Sequence, residues 1–156
     1  YNSLIIVSNR TPSEIPYFNG ESYKTLITKL IPRLIWKNKP TETFGHEFGK
    51  RYEILNEFDK QTSWNMPVLN EFYANFGVKG VSFGMLIMGI LFGFISKFLD
   101  FKKNNILYLI SIISLYPIFF MEVNLSLLVG ITIQKFIFFV FMFFILIKIL
   151  RRLKFI

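Results

Sequence analysis

Three long stretches without a charged residue dominate the second half of the chain. They cover residues 80–96 (17 residues), 104–121 (18 residues) and 123–147 (25 residues), and only Lys135 interrupts the last one. A helix needs about 20 mostly apolar residues to cross a bilayer. A surface helix of a soluble protein shows a polar face, whereas residues 137–147 carry none. The pattern favours transmembrane helices at about 78–97, 104–121 and 124–149 over the core helices of a soluble bundle.

Composition excludes several classes of function. The chain has 156 residues, 20 of them Phe, and a net charge of +8. That charge alone would suggest nucleic acid as a partner, but residues 1–77 hold 9 bases against 8 acids, and the surplus lies in the apolar half. There is no Cys and one His, which excludes disulfides, thiolate metal sites and a His-rich metal cluster. We expect no nucleic acid partner, no metal and no cofactor.

The positions of the bases predict an orientation. Lys97, Lys102 and Lys103 lie between the first two predicted helices, and Lys148, Arg151, Arg152 and Lys154 follow the third, whereas Glu122 lies between the second and third. Cytoplasmic loops are rich in Lys and Arg, so the C-terminus is expected in the cytoplasm. Residues 8–77 then form an extracytoplasmic loop, and residues 1–7 the end of a preceding transmembrane helix. The predicted fold is all-α, the C-terminal fragment of a polytopic membrane protein.

Some residues of the predicted helices have special roles. Gly77, Gly80 and Gly84 would share one face of the first helix, with Gly89 and Gly93 nearly opposite, and small residues let helices approach closely in lipid. Pro117 predicts a kink in the second helix. Lys135 falls near mid-membrane, where an unpaired charge is costly. It either faces a polar cavity or partner, or extends its charge outward along the helix.

Residues 23–37, YKTLITKLIPRLIWK, predict a short amphipathic helix in the extracytoplasmic loop. Apolar pairs recur every four residues, and Lys29, Arg33 and Lys37 form a basic stripe with the same spacing, interrupted by Pro32. Such a helix suits the membrane interface. The basic stripe would either rest on anionic lipid headgroups or bind a pyrophosphate, for which Arg offers bidentate contacts.

Two residues of the remaining loop are candidates for acid–base chemistry. His46 lies in a turn-rich stretch beside Glu47, Lys50 and Arg51, and a lone His near a Glu does not predict a metal site. Glu71 precedes the first apolar run and is expected at the outer membrane surface, where its carboxylate could take a proton from a sugar hydroxyl. Alternatively, Glu71 is an acid stabilised by the dipole at a helix N-terminus.

Three stretches carry a resemblance to a known family: PYFNGESYKTLITKLIPRLIWKNKP, FGHEFGKRY and MPVLNEFYANFGVKGVSFGMLIMG. Together they resemble the C-terminal part of bacterial O-antigen or capsule repeat-unit polymerases, the Wzy-type polytopic membrane proteins. The resemblance extends from about Arg10 to the end of the chain. Its most specific parts are residues 31–40 and 70–80.

The resemblance implies a metal-independent glycosyltransferase of the bacterial inner membrane. Its substrates would be undecaprenyl-pyrophosphate-linked oligosaccharides, polymerised outside the cytoplasmic membrane, with a chain-length regulator and a flippase as further partners. In this chain Arg33, Lys29 and Lys37 would bind the departing pyrophosphate, helped by Arg10 and Arg51. Glu71 or His46 would be the base, and Tyr73, Trp36 and Trp64 would stack on sugars. A transporter or flippase for the same lipids and a non-catalytic assembly subunit are the alternatives.

Overall fold

The computed structural model of the protein describes residues 2–41, 43–98, 106–119 and 121–152. The described residues form helices joined by loops and contain no strand. Two short 3-10 helices, Glu21–Lys24 and Tyr116–Phe119, accompany the six α-helices. The α-helices are α1 (Asn2–Arg10), α2 (Thr25–Leu30), α3 (Phe44–Arg51), α4 (Val68–Phe98), α5 (Ile106–Leu115) and α6 (Leu125–Arg152).

Two helices, α4 and α6, are long and apolar enough to cross a bilayer. Their outer surfaces carry exposed phenylalanines, such as Phe83 (67% exposed), Phe141 (61%) and Phe144 (62%). Surfaces as apolar as these are normally covered by lipid or protein. The described part of the second predicted span is α5, which gives way before Pro117 to the 3-10 helix. Residues 104, 105 and 120 of that prediction lie outside the described residues, so a third span stays a prediction.

α4 begins ten residues earlier than predicted and is broken in the middle. Phe76 and Gly77 leave the helical conformation, and Gly77 has φ +64° and ψ −150°. We call residues 68–75 the short arm and residues 78–98 the long arm. A Cβ on Gly80 would collide with the carbonyl of Phe72, eight residues earlier. In a continuous helix eight residues span about 12 Å, so the short arm folds back against the long arm.

The short arm joins most parts of the molecule through buried polar groups. Asn75 Nδ2 donates to Ser22 Oγ (2.9 Å), and its Oδ1 accepts from the Gly20 amide (2.7 Å). Asn70 Nδ2 donates to Ser3 Oγ of α1 (2.8 Å). Buried polar groups persist only when they are hydrogen-bonded. The short arm therefore fixes the loop around Gly20 and the N-terminal helix relative to the membrane helices.

α2 lies along the first turns of α6, and the predicted helix over 23–37 is wrong in its extent. Ile31, the residue before Pro32, is extended (φ −89°, ψ 119°) and ends the helix, because proline disfavours the helical conformation of the preceding residue. Ser126 Oγ donates to the Ser22 carbonyl (3.5 Å), and Gln134 Nε2 to the Lys29 carbonyl (2.6 Å). The segment thus follows α6 for about 12 Å.

A second body of structure forms from α1, α3 and the short arm. Its core consists of buried apolar residues with Phe48, Tyr52 and Met66 at most 1% exposed. Neighbouring rings in it lie 4.9–6.5 Å apart, the range favoured by aromatic pairs. The full set is Val7, Phe18, Phe44, Phe48, Tyr52, Met66 and Ala74.

Candidate substrate-binding cleft

A basic cleft lies between the end of α2, the chain reversal after it and α6. Its volume is about 290 Å³. Its polar lining comes from Lys29, Arg33, Lys39 and Gln134, and its apolar lining comes from Leu127, Gly130 and Ile131 of α6. Among the described residues, three of the four polar side chains that line the cleft are cations and the fourth is an amide, which favours an anion as the ligand.

The chain reversal after α2 holds two of these cations in place. Arg33 Nη1 donates to the Lys39 carbonyl (3.0 Å) and Nη2 to the Pro40 carbonyl (3.4 Å). Lys39 Nζ donates to the Ile31 carbonyl (2.8 Å), and the Lys39 residue is only 8% exposed. A guanidinium has five N–H donors, so these two bonds orient Arg33 and leave it donors for a ligand.

The third cation is brought to the cleft by close packing on α6. A Cβ on Gly130 would lie 2.8 Å from Lys29 Cβ and 3.0 Å from the Lys29 carbonyl oxygen. Glycine therefore lets the end of α2 rest directly on α6. The bond from Gln134 to the Lys29 carbonyl secures the contact at the same level.

The cleft contains only part of the predicted basic stripe. Lys29 and Arg33 meet there, whereas Lys37 does not line it and Lys39 does. Because the helix ends at Leu30, Arg33 and Lys37 do not continue the helical stripe. Trp36 is in the same reversal and is 37% exposed.

The other two predicted arginines lie in the second body instead. Arg10 Nη1 donates to the Tyr52 carbonyl (3.1 Å) and to Glu53 Oε2 (2.9 Å). Arg51 donates to the Pro16 carbonyl (2.8 Å), and its guanidinium carbon lies 4.1 Å from the centre of the Phe18 ring. These contacts tie α1 and α3 to the loop between α1 and α2. Neither arginine lines the cleft.

Glu71 lies in the first turn of α4 and is fully buried in the short arm (0% exposed). Its Oε2 accepts a hydrogen bond from the backbone N–H of Leu125, the first residue of α6 (2.6 Å). The N-terminus of a helix favours a negative charge. Burial, together with the charge of Glu71, raises the pKa of the neighbouring Tyr23 well above its usual range, so Tyr23 keeps its hydroxyl proton.

His46 lies on α3 in an intermediate degree of exposure. Its Nδ1 is 2.8 Å from the Thr62 carbonyl oxygen. A carbonyl can only accept, so Nδ1 carries the proton, and Nε2 of the neutral ring is the acceptor. That tautomer is the one a general base needs. Tyr73 packs beside the second body, and neither Tyr73 nor His46 is among the described residues that line the cleft.

Sequence reasoning missed Lys39 and Gln134 as lining residues. Pro32 and Pro40 frame a short segment, and such a pair is a signal for a chain reversal that could have brought Lys39 back toward Lys29. Gln134 was noticed only as the neighbour of Lys135. Its contact with a backbone carbonyl 105 residues away leaves no local trace in the sequence.

The fold and the cleft define an integral membrane protein with a basic cleft beside one of its long apolar helices. The family model for the O-antigen polysaccharide polymerase Wzy matches residues 2–154. The chain belongs to this family, and the resemblance seen in its sequence is confirmed. Neither a curated protein nor a solved structure matches the chain.

Proposed function

We propose that the chain polymerises oligosaccharide repeat units carried on undecaprenyl pyrophosphate, with the departing pyrophosphate bound in the basic cleft. The observation that carries this proposal is the convergence of Lys29, Arg33 and Lys39 in one cleft on the flank of α6. Family membership supports the polymerase activity. The lipid-linked substrate and the role of each cation are the parts that we add.

The depth of the cleft suits a lipid phosphate. About 20 helical residues cross the hydrocarbon core. Counted back from Lys148, the first base at the C-terminal end of α6, this distance places the opposite boundary near Leu128. The cleft extends along α6 from Leu127 to Gln134. It therefore lies where the phosphates of membrane lipids meet the outermost hydrocarbon.

The same helix suggests the orientation. Lys148, Arg151 and Arg152 lie at one end of α6, and Lys97 lies at the corresponding end of α4. Basic ends face the cytoplasm, so the cleft and residues 8–77 would face outward from the bacterial inner membrane. Lys102, Lys103 and Lys154 support this orientation by sequence and lie outside the described residues.

The proposed reaction is a glycosyl transfer. The bond between the anomeric carbon of the donor sugar and the pyrophosphate oxygen breaks, and the pyrophosphate leaves with the electron pair. A new bond forms between that carbon and a hydroxyl oxygen of the acceptor sugar, whose proton passes to a base. Fixed cations lower the barrier because they stabilise the charge that develops on the leaving group. In this proposal Lys29, Arg33 and Lys39 supply them without a metal ion.

Of the two candidate bases, His46 fits the role better than Glu71. The Nε2 lone pair of His46 is available in the tautomer that its bond to Thr62 selects. Glu71 is completely buried and holds the start of α6. We therefore propose His46 as the base and Glu71 as the group that positions α6, with Tyr73 and Trp36 left as candidate sugar contacts.

Four alanine variants in the full-length protein test the cleft. Expressed in cells whose own gene is deleted, Arg33→Ala and Lys39→Ala should abolish long polymer at unchanged membrane levels of protein. Lys60→Ala, an exposed base in another loop, is the control. Lys37→Ala separates the predicted stripe from the observed cleft, because only the stripe requires it. Wild-type polymer length in both Arg33→Ala and Lys39→Ala would refute the cleft as the pyrophosphate site.

Accumulated intermediates distinguish a polymerase from a transporter. An inactive polymerase leaves single lipid-linked repeat units on the outer face, where an impermeant glycosidase added to spheroplasts can reach them. Accumulation only on the inner face would favour transport and contradict the proposal.

The base can be tested by substituting each candidate. His46→Gln should lower the rate about 100-fold or more, because general base catalysis contributes about 10²–10⁴-fold. Glu71→Gln keeps an acceptor for the Leu125 amide and should retain most of the wild-type rate. The opposite pattern would move the base to Glu71.

A further inference from the structure

A second cavity, unlike the basic cleft, separates the long arm of α4 from α6. It has a volume of about 450 Å³. Its walls are almost entirely apolar, and its main lining residues are Phe72, Phe83, Ile87, Leu91 and Val129. Cavities that hold small molecules in proteins measure about 300–1,000 Å³, so this groove is large enough for a segment of one hydrocarbon chain.

Only one end of the groove is polar. Lys79, in the first turn of the long arm, and Tyr23, in the 3-10 helix before α2, line that end. From Gly80 to Leu91 the groove follows α4 for about 16 Å. One exposed cation above a long apolar wall matches an amphiphile with an anionic head and an extended tail.

The groove and the cleft lie on opposite faces of α6. Leu125 and Val129 line the groove, whereas Leu127, Ile131 and Gln134 line the cleft. At 100° per residue, the two sets are centred about 180° apart, and the helix between them is about 10 Å wide. A single lipid whose phosphate sits in the cleft would have to pass its tail around α6 to reach the groove.

We infer that the groove binds the polyprenyl chain of a second lipid-linked substrate, with its phosphate beside Lys79. This inference rests on the proposed function, since joining two lipid-linked glycans requires two carriers at once. α6 would then separate the two carriers, with one phosphate on each of its flanks. Aromatic rings line the mouth of the groove at Phe72, Phe76 and Phe83, and such faces pack favourably against unsaturated chains.

Photolabelling in lipid nanodiscs tests this site directly. The probe is a polyprenyl phosphate without sugar that carries a photoreactive group at the end of its chain. The full-length wild-type protein should be labelled on α4 between Phe83 and Leu91, as mapped by mass spectrometry. Labelling confined to other helices would overturn the inference.

Two pairs of matched variants locate the labelling. Ile87 and Ile90 are both exposed on α4 (57% and 51%), but only Ile87 lines the groove. Ile87→Trp fills the groove and should reduce labelling about tenfold, a loss of about one order of magnitude in affinity, whereas Ile90→Trp should not. Likewise Lys79→Ala should weaken labelling and Lys97→Ala, at the other end of α4, should not. Equal labelling in both members of each pair would refute the site.

Competition with an ordinary phospholipid and the Arg33→Ala variant show whether a negative result contradicts the groove or the proposed pyrophosphate site. A tenfold excess of phosphatidylglycerol should leave most of the labelling intact, and its complete loss would assign the groove to ordinary phospholipid instead. Arg33→Ala should lose polymer but keep groove labelling, because the two sites are independent. Labelling that persists while all cleft variants remain active would support the groove and contradict the proposed pyrophosphate site.

Discussion

At the scale of single residues, a few positions in the molecule tolerate little change. Gly77 has a φ of +64°, and a Cβ there would lie 2.7 Å from the Tyr17 hydroxyl oxygen. Glycine was recognised in the sequence for close helix packing, but the break that requires it was not. A sequence window shows the apolar run of the long arm, whereas the short arm is held by contacts with Ser3, Gly20 and Ser22, which are remote in sequence.

Replacing Gly77 tests the break. Gly77→Ala should destabilise the protein by about 1–3 kcal/mol, because the backbone conformation is unfavourable for any residue with a Cβ and the Tyr17 ring must move. Thermal unfolding in detergent measures the effect. Gly89→Ala is the matched control, since a Cβ there meets nothing within 4 Å. Equal melting temperatures for the two variants would show that α4 does not break at this residue.

Asp59 predicts that the stability of the loop before the short arm depends on pH. Hydrogen bonds from Thr62 and Gln61 hold the pKa of this carboxyl at about 2. Because the pKa is lower in the folded turn, ionised Asp59 stabilises the turn at pH values above 3.8, the ordinary pKa of this group. This stabilisation disappears as the pH falls toward 2. Pepsin cleavage at Phe58, which is 88% exposed, should therefore accelerate between pH 4 and pH 2.

The control for this prediction is Asp59→Asn, which cannot titrate. After correction for pepsin activity on an unstructured peptide, its cleavage rate should not change over the same interval. A similar acceleration in both proteins would mean that the Asp59 turn does not control access to the loop.

At the scale of elements, the sequence predicted best those helices whose environment is uniform. α6 was expected at about 124–149 and is found at Leu125–Arg152, because an apolar run bounded by an Asn N-cap and terminal bases is a local signal. The basic stripe was only partly correct, because the helix ends before Pro32 and α2 packs along α6. Lys29 and Arg33 were predicted for the site, whereas Lys39 was missed.

The contact between α2 and α6 predicts a strong effect at Gly130. Gly130→Leu should push Lys29 away and cost about 1–3 kcal/mol, the usual penalty for overpacking. We expect a lower melting temperature and faster tryptic cleavage at the exposed Lys37. Gly93→Leu, on a surface with nothing within 4 Å, should change neither. Unchanged cleavage in Gly130→Leu would show that α2 does not depend on this contact.

At the scale of the whole molecule, the two long helices and the polar short arm divide the chain into a membrane part and a second body. The charge distribution predicts a membrane part over residues 78–156, which hold most of the excess of bases. It could not predict how the two parts meet, because that meeting depends on hydrogen bonds between residues 53–105 positions apart.

The proposed orientation can be checked with single cysteines, because residues 1–156 themselves contribute no native thiol. Single cysteines in place of Lys60 and Arg152 should react oppositely with an impermeant maleimide in intact cells: residue 60 labelled, residue 152 protected until the cells are opened. Labelling of both from outside, or of residue 152 alone, would reverse or rule out the orientation.

The bonds of the short arm and α2 to α6 also determine the order in which the site can form during synthesis. The hydrogen bond to Glu71 requires Leu125, and the hydrogen bond to the Lys29 carbonyl requires Gln134, which is 105 residues later. At about 5–20 residues per second, that separation corresponds to a delay of roughly 5–20 s on the ribosome. During that interval the cations of the cleft precede the helix against which they pack, so the cleft can be completed only after α6 has been synthesised.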